Sequence, residues 1–314
     1  MKLKILKISS GFDTGLIFIG VSFFSFSPVF TSHSKLLLAA FFCFGVISIG
    51  EATTRHFANQ SLLRSIRKNR VTMFRFLVST TVAALLLDGV VKALGKLWIY
   101  PDWSFIFYLF IFIPGFAVYW LTLAESYLAV KTVLDYFRKG KSNMNRYFAY
   151  EGFFFLVLLL LGVGFLLYVV FHVYFNFLQQ TKPFFDALYV SDHSGLFAIA
   201  FVDVLLIFFG TWFIFEFIEY RLKKSSLIHD LLHGYYNPLV AVFASSWIVA
   251  VFMEGQNIPA QLWGYTNWPL SEIAIFGIPI LVFVTWPIHY ISFLSLFRII
   301  TDKQSEEVWS GDHL

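Results

Sequence analysis

The sequence predicts an all-α polytopic membrane protein of about eight transmembrane helices, arranged as two repeated four-helix halves with both termini cytoplasmic. Three observations carry this. The 314-residue chain is 58% hydrophobic and only 13% charged, where a soluble domain carries roughly 25% charged residues. Its apolar runs reach about 20 residues, enough to cross hydrocarbon as a helix. They are continuous rather than alternating, which favours helices over a closed barrel. The third is a pattern, L-W-x-Y-x-x-W, that occurs at Leu97-Trp98-Ile99-Tyr100-Pro101-Asp102-Trp103 and again 165 positions later at Leu262-Trp263-Gly264-Tyr265-Thr266-Asn267-Trp268.

Taken in order, the spans are expected over residues 14–30, 35–55, 72–91, 104–131, 147–175, 196–221, 238–254 and 270–298. Residues 1–7 carry three lysines, and no small-residue cleavage site follows Gly20. They read as the lead into a first helix and not as a cleaved signal. Residues 56–70 and 135–146 are polar connections, residues 176–195 form a longer one, and a short polar tail closes the chain. With these spans, 19 of the 23 lysines and arginines fall on one side, leaving only Lys35, Lys92, Lys96 and Lys182 on the other. The positive-inside rule assigns the first group to the cytoplasm, and both aromatic copies then face the opposite side. Removing any one helix would destroy that asymmetry. The same rule accounts for the net charge of +4, so no nucleic-acid partner is expected, and the cell (cytoplasmic) membrane is the expected location.

The repeat reaches beyond the aromatic pattern. Asp88-Gly89 and Glu254-Gly255 precede the two copies, Ile113-Pro114 matches Ile278-Pro279, and Glu51 maps on Glu216. The halves divide at 1–146 and 147–314. Four helices is an even number, so the halves share an orientation and are expected to be related by an axis along the membrane normal. The lone cysteine, Cys43, excludes an internal disulfide and any multi-cysteine metal site. No dinucleotide or phosphate-loop fingerprint is present, and no cofactor is expected. Nothing in the sequence sets the oligomeric state.

Ionisable residues inside spans are costly and mark function by default. Asp88, Asp203, Glu254, Glu272 and His172 fall toward the outer side. Glu51, Glu125, Glu151, Glu216 and Glu219 fall toward the cytoplasmic side. Several have a plain structural reading. Glu51 lies four residues before Arg55, and Glu216 and Glu219 lie near Arg221 and Lys223. Asp88 has Lys92 at i+4. Asp203, Glu254 and Glu272 have no local basic partner. His229 and His233 have the i, i+4 spacing of metal ligands on one helix face. The other histidines are scattered singly, so the pair reads as part of a solvated loop and no metal site is expected. Trp98, Tyr100, Trp103, Trp263, Tyr265 and Trp268 stand where an interfacial aromatic belt would. A belt, however, does not require the same spacing twice with an acid upstream each time, and a pocket lined by these rings is the alternative.

The second copy, read as Glu254-Gly255, Leu262-Trp263-Gly264-Tyr265, Pro269-Leu270-Ser271-Glu272 and Phe276-Gly277-Ile278-Pro279, resembles the lycopene cyclase domain of the heterodimeric and fungal-fusion type. The likeness covers about 30 residues. It departs from that family in having one acid at Ser271-Glu272 where a pair is usual, and Phe105-Ile106-Phe107-Tyr108 where the first copy would carry acids. The resemblance implies an integral-membrane isomerase of carotenoid or isoprenoid biosynthesis, built from duplicated helical units, with an apolar lipid substrate drawn from the bilayer. Proton donation by Glu272, with Glu254 and Asp88 as partners, would start ring closure. A carboxyl in an apolar pocket keeps its proton, and two neighbouring carboxyls strengthen the effect. Trp263, Tyr265, Trp98, Tyr100, Trp268 and Asp203 would line the substrate site, where aromatic faces stabilise a cation by roughly 0.5–2 kcal/mol each. A proton-coupled transporter or channel, or a non-catalytic membrane scaffold, are the readings from other classes.

Overall fold

The structure, a computed structural model, describes residues 10–27, 29–58, 61–100, 104–138, 149–177, 199–224 and 226–300. Helices follow the apolar runs: α1 (Ser10–Ser22), α2 (Ser32–Ala58), α4 (Arg70–Leu86), α5 (Phe105–Arg138), α6 (Glu151–Phe177), α7 (Phe201–Arg221), α9 (Asn237–Ala260) and α10 (Ile280–Ile300), with short α3 (Leu62–Lys68) and α8 (Leu227–Leu232) between them. Among the described residues, six helical segments are long and apolar enough to cross a membrane. The 34-residue α5 covers the fourth expected span. α1 and the 3₁₀ turn after it, Ser10–Phe26, form a shorter apolar segment. The chain is thus an all-α protein of membrane-spanning character.

α5 packs on α2, α4 and α9, and α10 packs on α4, α7 and α9, so these helices form the centre. α1 lies against α2, and α6 against α7. Both of those pairs meet through glycines. A methyl group placed on Gly15 would sit 2.8 Å from the carbonyl oxygen of Gly45, and one on Gly162 would sit 2.7 Å from that of Gly210. Small residues let helix backbones approach where lipid leaves no hydrophobic drive for association. The outward side of α6 exposes Phe153, Leu160, Leu167, Phe171 and Phe175. A row of exposed apolar side chains on this scale belongs against a partner or lipid and not water. The interior holds Trp120, Tyr127, Tyr290, Phe293 and Phe297, with Trp120 stacked on Phe293 at 4.5 Å between ring centroids.

Three features depart from the sequence expectation. The stretches left between the expected spans contain α3 and α8, each opened by a serine whose side chain caps it. Ser61 Oγ accepts from Arg64 N and Ser226 Oγ from His229 N, both at 3.1 Å. A buried acid reaches each first turn as well: Leu63 N donates to Glu125 at 2.9 Å and Ile228 N to Glu216 at 3.1 Å. The helix expected from 270 begins instead at Ile280. Positive φ angles at Asn267, Leu270, Phe276 and Gly277 turn the backbone first. Residues Ala274–Ile275 (called β3) and Ile278–Pro279 (β4) then pair as a small antiparallel hairpin.

The third departure joins the two aromatic copies. Trp98–Ile99 (β1) pairs antiparallel with Gly264–Tyr265 (β2), in the register Trp98 to Tyr265 and Ile99 to Gly264. Ile99 and Gly264 are counterparts 165 positions apart. A ladder in which a position meets its own counterpart is unchanged when its strands are exchanged. Lys96 and Gln261, also counterparts, lie just after the preceding helical segments with the same left-handed φ of 50°.

Candidate acid–tyrosine sites

Each aromatic copy holds a buried acid. In the first, α4 ends in a π-helical segment, Leu87–Leu94, closed by Gly95 N donating to the carbonyl of Val90 at 2.8 Å. Such widened turns recur at functional sites. This one turns Asp88 inward, where it is 2% exposed. Tyr100 Oη donates to Oδ1 at 3.2 Å and Tyr108 Oη to Oδ2 at 2.7 Å. The ammonium of Lys92 lies 5.0 Å and 4.4 Å from the centres of those same two rings. Both carboxylate oxygens of Asp88 are therefore occupied.

In the second copy Glu254 sits near the end of α9 and is 1% exposed. Tyr265 Oη donates to its Oε1, and Trp263 Nε1 donates in turn to that phenol oxygen at 3.0 Å. Asn257 fixes Trp263 by accepting from its backbone N–H and donating to its carbonyl, both at 3.0 Å. The second oxygen, Oε2, is buried and has no hydrogen-bond partner among the described residues. The counterpart of Tyr108 is Ile273 (108 + 165), which the hairpin carries to an exposed position, so no second phenol closes this site. Burial, then the neighbouring acid, pushes the Tyr100 and Tyr265 phenols well above their ordinary range. Both stay hydrogen-bond donors at any ordinary pH.

The ladder ties the copies together. Trp268 Nε1 donates to the carbonyl of Leu97 at 2.7 Å, and Thr266 N to the same oxygen at 3.0 Å. Beside it lies a cavity of about 50 Å³ lined by Trp98, Trp268, Phe201, Phe208 and His289, among others. That is room for a few water molecules, well below the 300 Å³ or more of a formed ligand pocket. His289 Nε2 is held by Tyr119 Oη at 2.7 Å.

Five of the expected site residues, Trp98, Tyr100, Trp263, Tyr265 and Trp268, are thus gathered with Asp88 and Glu254 around one ladder. Two are not. Asp203 accepts from Ala200 N at 3.2 Å, capping α7, and pairs with His172 Nδ1 of α6 at 2.8 Å. Glu272 is exposed in the turn before β3, and it is absent from the hydrogen bonds of Glu254. The expected closed pocket holding Glu272 with Glu254 is therefore corrected. The backbone reversal after Asn267 presents Glu272 outward with Leu270, Ile273 and Phe276. Trp103 lies outside the described residues. On the opposite side, Glu51 meets Arg55 at 3.8 Å as expected, but Glu219 pairs with Arg298 at 3.7 Å and Glu216 accepts from Trp212 Nε1 at 2.7 Å. Sequence reading missed Tyr108 and Asn257. Asn257 stands three residues after Glu254, one helical turn on, and that spacing was the available signal.

Comparison with protein-family models, curated proteins and solved structures finds no match.

Proposed function

We propose that this chain is an integral-membrane isomerase of the cyclase type, acting on the end of an isoprenoid or carotenoid chain, with Glu254 as its acid. The observation that carries the reading is the asymmetry of the two acid sites. Asp88 is closed by two phenols, whereas Glu254 keeps one buried oxygen, Oε2, without a hydrogen bond among the described residues. A carboxyl fixed by one donor, with its other oxygen not committed to a hydrogen bond, can hand a proton to a substrate brought against it and take one back. The O–H of Glu254 breaks as a new C–H bond forms at a terminal alkene. The cation left behind is attacked by a neighbouring double bond, closing a ring. A C–H next to the final cation then loses its proton to the carboxylate. No electron is gained or lost overall, so no redox cofactor is required. Tyr265 and Trp263 position the acid, and the surrounding aromatic faces stabilise positive charge.

In this reading the chain comprises two duplicated four-helix halves, eight spans in all, with both termini cytoplasmic and the acid sites toward the outer face of the cytoplasmic membrane. The substrate end reaches Glu254 beside the ladder from the bilayer. Expression in a lycopene-accumulating host tests this by chromatography of the extracted carotenoids. Cyclic products are expected with the native chain, and Glu254→Gln is expected to lower them by about 100-fold or more, the scale of a lost general acid. Uncyclised lycopene beside verified membrane-inserted protein would overturn the proposal.

A further inference from the structure

A separate cluster lies where α8 meets the start of α6. His229 and His233 occupy successive turns of α8 and its cap, their rings stacked with centroids 4.2 Å apart and 28° between planes. His233 Nδ1 lies 2.9 Å from the carbonyl oxygen of His229. Only a protonated nitrogen can bond there, so the lone pair of His233 is on Nε2. His229 directs Nε2 toward Glu151 Oε1 at 3.5 Å, while its Nδ1 faces Asp230 Oδ1 at 3.8 Å. Glu151 opens α6, and its Oε1 is buried with no hydrogen-bond partner among the described residues. One ligand atom from each of Glu151, His229 and His233 lies within 4.8 Å of the others.

We propose that Glu151, His229 and His233 bind one divalent ion of the zinc class. Two imidazoles and one carboxylate match the donor set that borderline metals such as Zn²⁺ prefer over the all-oxygen sites of Mg²⁺ and Ca²⁺. Metal–ligand bonds of about 2.1 Å in a tetrahedron put ligand atoms about 3.4 Å apart. The Glu151–His229 contact already has that spacing, and small side-chain shifts would bring the third ligand atom, now within 4.8 Å, into range. Asp230 Oδ1, 3.8 Å from His229 Nδ1, stands on the side from which a carboxylate orients metal-bound imidazoles, and would have to close to hydrogen-bond distance to do so. A fourth position remains for water. The ion would pin the start of α6 to the segment between α7 and α9. The corresponding positions in α3 are Arg64 (229 − 165) and Lys68 (233 − 165). Neither is a metal ligand, so α3 does not repeat the site. It does not rest on the isomerase reading.

The test uses the full-length chain without a histidine tag, stripped by a chelator in detergent and titrated with Zn²⁺ by calorimetry. One ion per chain is expected. His229→Ala, His233→Ala and the conservative Glu151→Gln should each weaken binding by about tenfold or more. Zn²⁺ should raise the thermal midpoint of the native chain and leave that of the two histidine variants unmoved. Helical circular dichroism establishes that each variant is folded, and Glu151→Gln supplies the reading if a histidine variant is not. Absence of stoichiometric binding, or folded variants that bind as the native chain does, overturns the site and leaves a plain His229–Glu151 ion pair.

Discussion

At the scale of single residues, the acids and their partners differ in how they could be found. Asp88 and Glu254 stand out in the sequence because a carboxyl within a span is costly unless it is matched. Tyr100 and Tyr265 follow from the repeated pattern. Tyr108 could not be found this way, because it lies 20 residues beyond Asp88 on another helix and only tertiary structure returns it. Glu272 misled for the opposite reason: its neighbours resemble a family motif, yet four positive φ angles around it decide where it points. The contrast between the two sites yields a prediction. Tyr108→Phe leaves a buried oxygen of Asp88 without its donor, which costs about 1–3 kcal/mol, so the thermal midpoint should fall while product formation persists in whatever protein remains folded. Tyr265→Phe should instead lower product formation, because it loosens the one bond that orients Glu254. Equal losses of activity in the two variants would refute the division of roles.

Among elements, continuous apolar runs were easy to read and short helices were not. α3 and α8 have only seven and six residues, too short for a periodic pattern to mark them as helices. Their caps, Ser61 and Ser226, are legible only once a helix is suspected. The α6–α7 pair offers a cleaner test of helix packing. Gly162 faces the carbonyl of Gly210, whereas a methyl group on Gly164, two residues on, would meet nothing within 4 Å. Gly162→Ala should therefore force the helices apart at a cost of about 1–3 kcal/mol. Gly164→Ala should be neutral or slightly stabilising, since alanine favours the helix by up to about 1 kcal/mol. Thermal unfolding in one detergent compares the pair directly. If both variants behave alike, close backbone approach is not what holds α6 to α7.

For the whole molecule, the 165-residue offset carried most of what was legible about architecture, and it failed in one informative place. Gly45 and Gly210 are 165 apart, but their partners Gly15 and Gly162 are 147 apart. The difference, 165 − 147 = 18 residues, lies in the longer connection between α6 and α7, so α1 shows no counterpart at the common offset. The contacts of α5 with α9, of α10 with α4, and of β1 with β2 all cross the division at residues 146 and 147. If, as proposed, each half carries an even number of spans and inserts in the same orientation, halves joined this way need not be covalently linked. Residues 1–146 and 147–314, co-expressed as separate chains, should therefore co-purify in equal amounts from detergent extracts. Trp268→Ala should reduce that recovery, since it removes the indole that reaches from the second half to Leu97 of the first. Two halves that accumulate in the membrane yet purify apart would show that the interface depends on the linker and not on the paired ladder and the crossing helices.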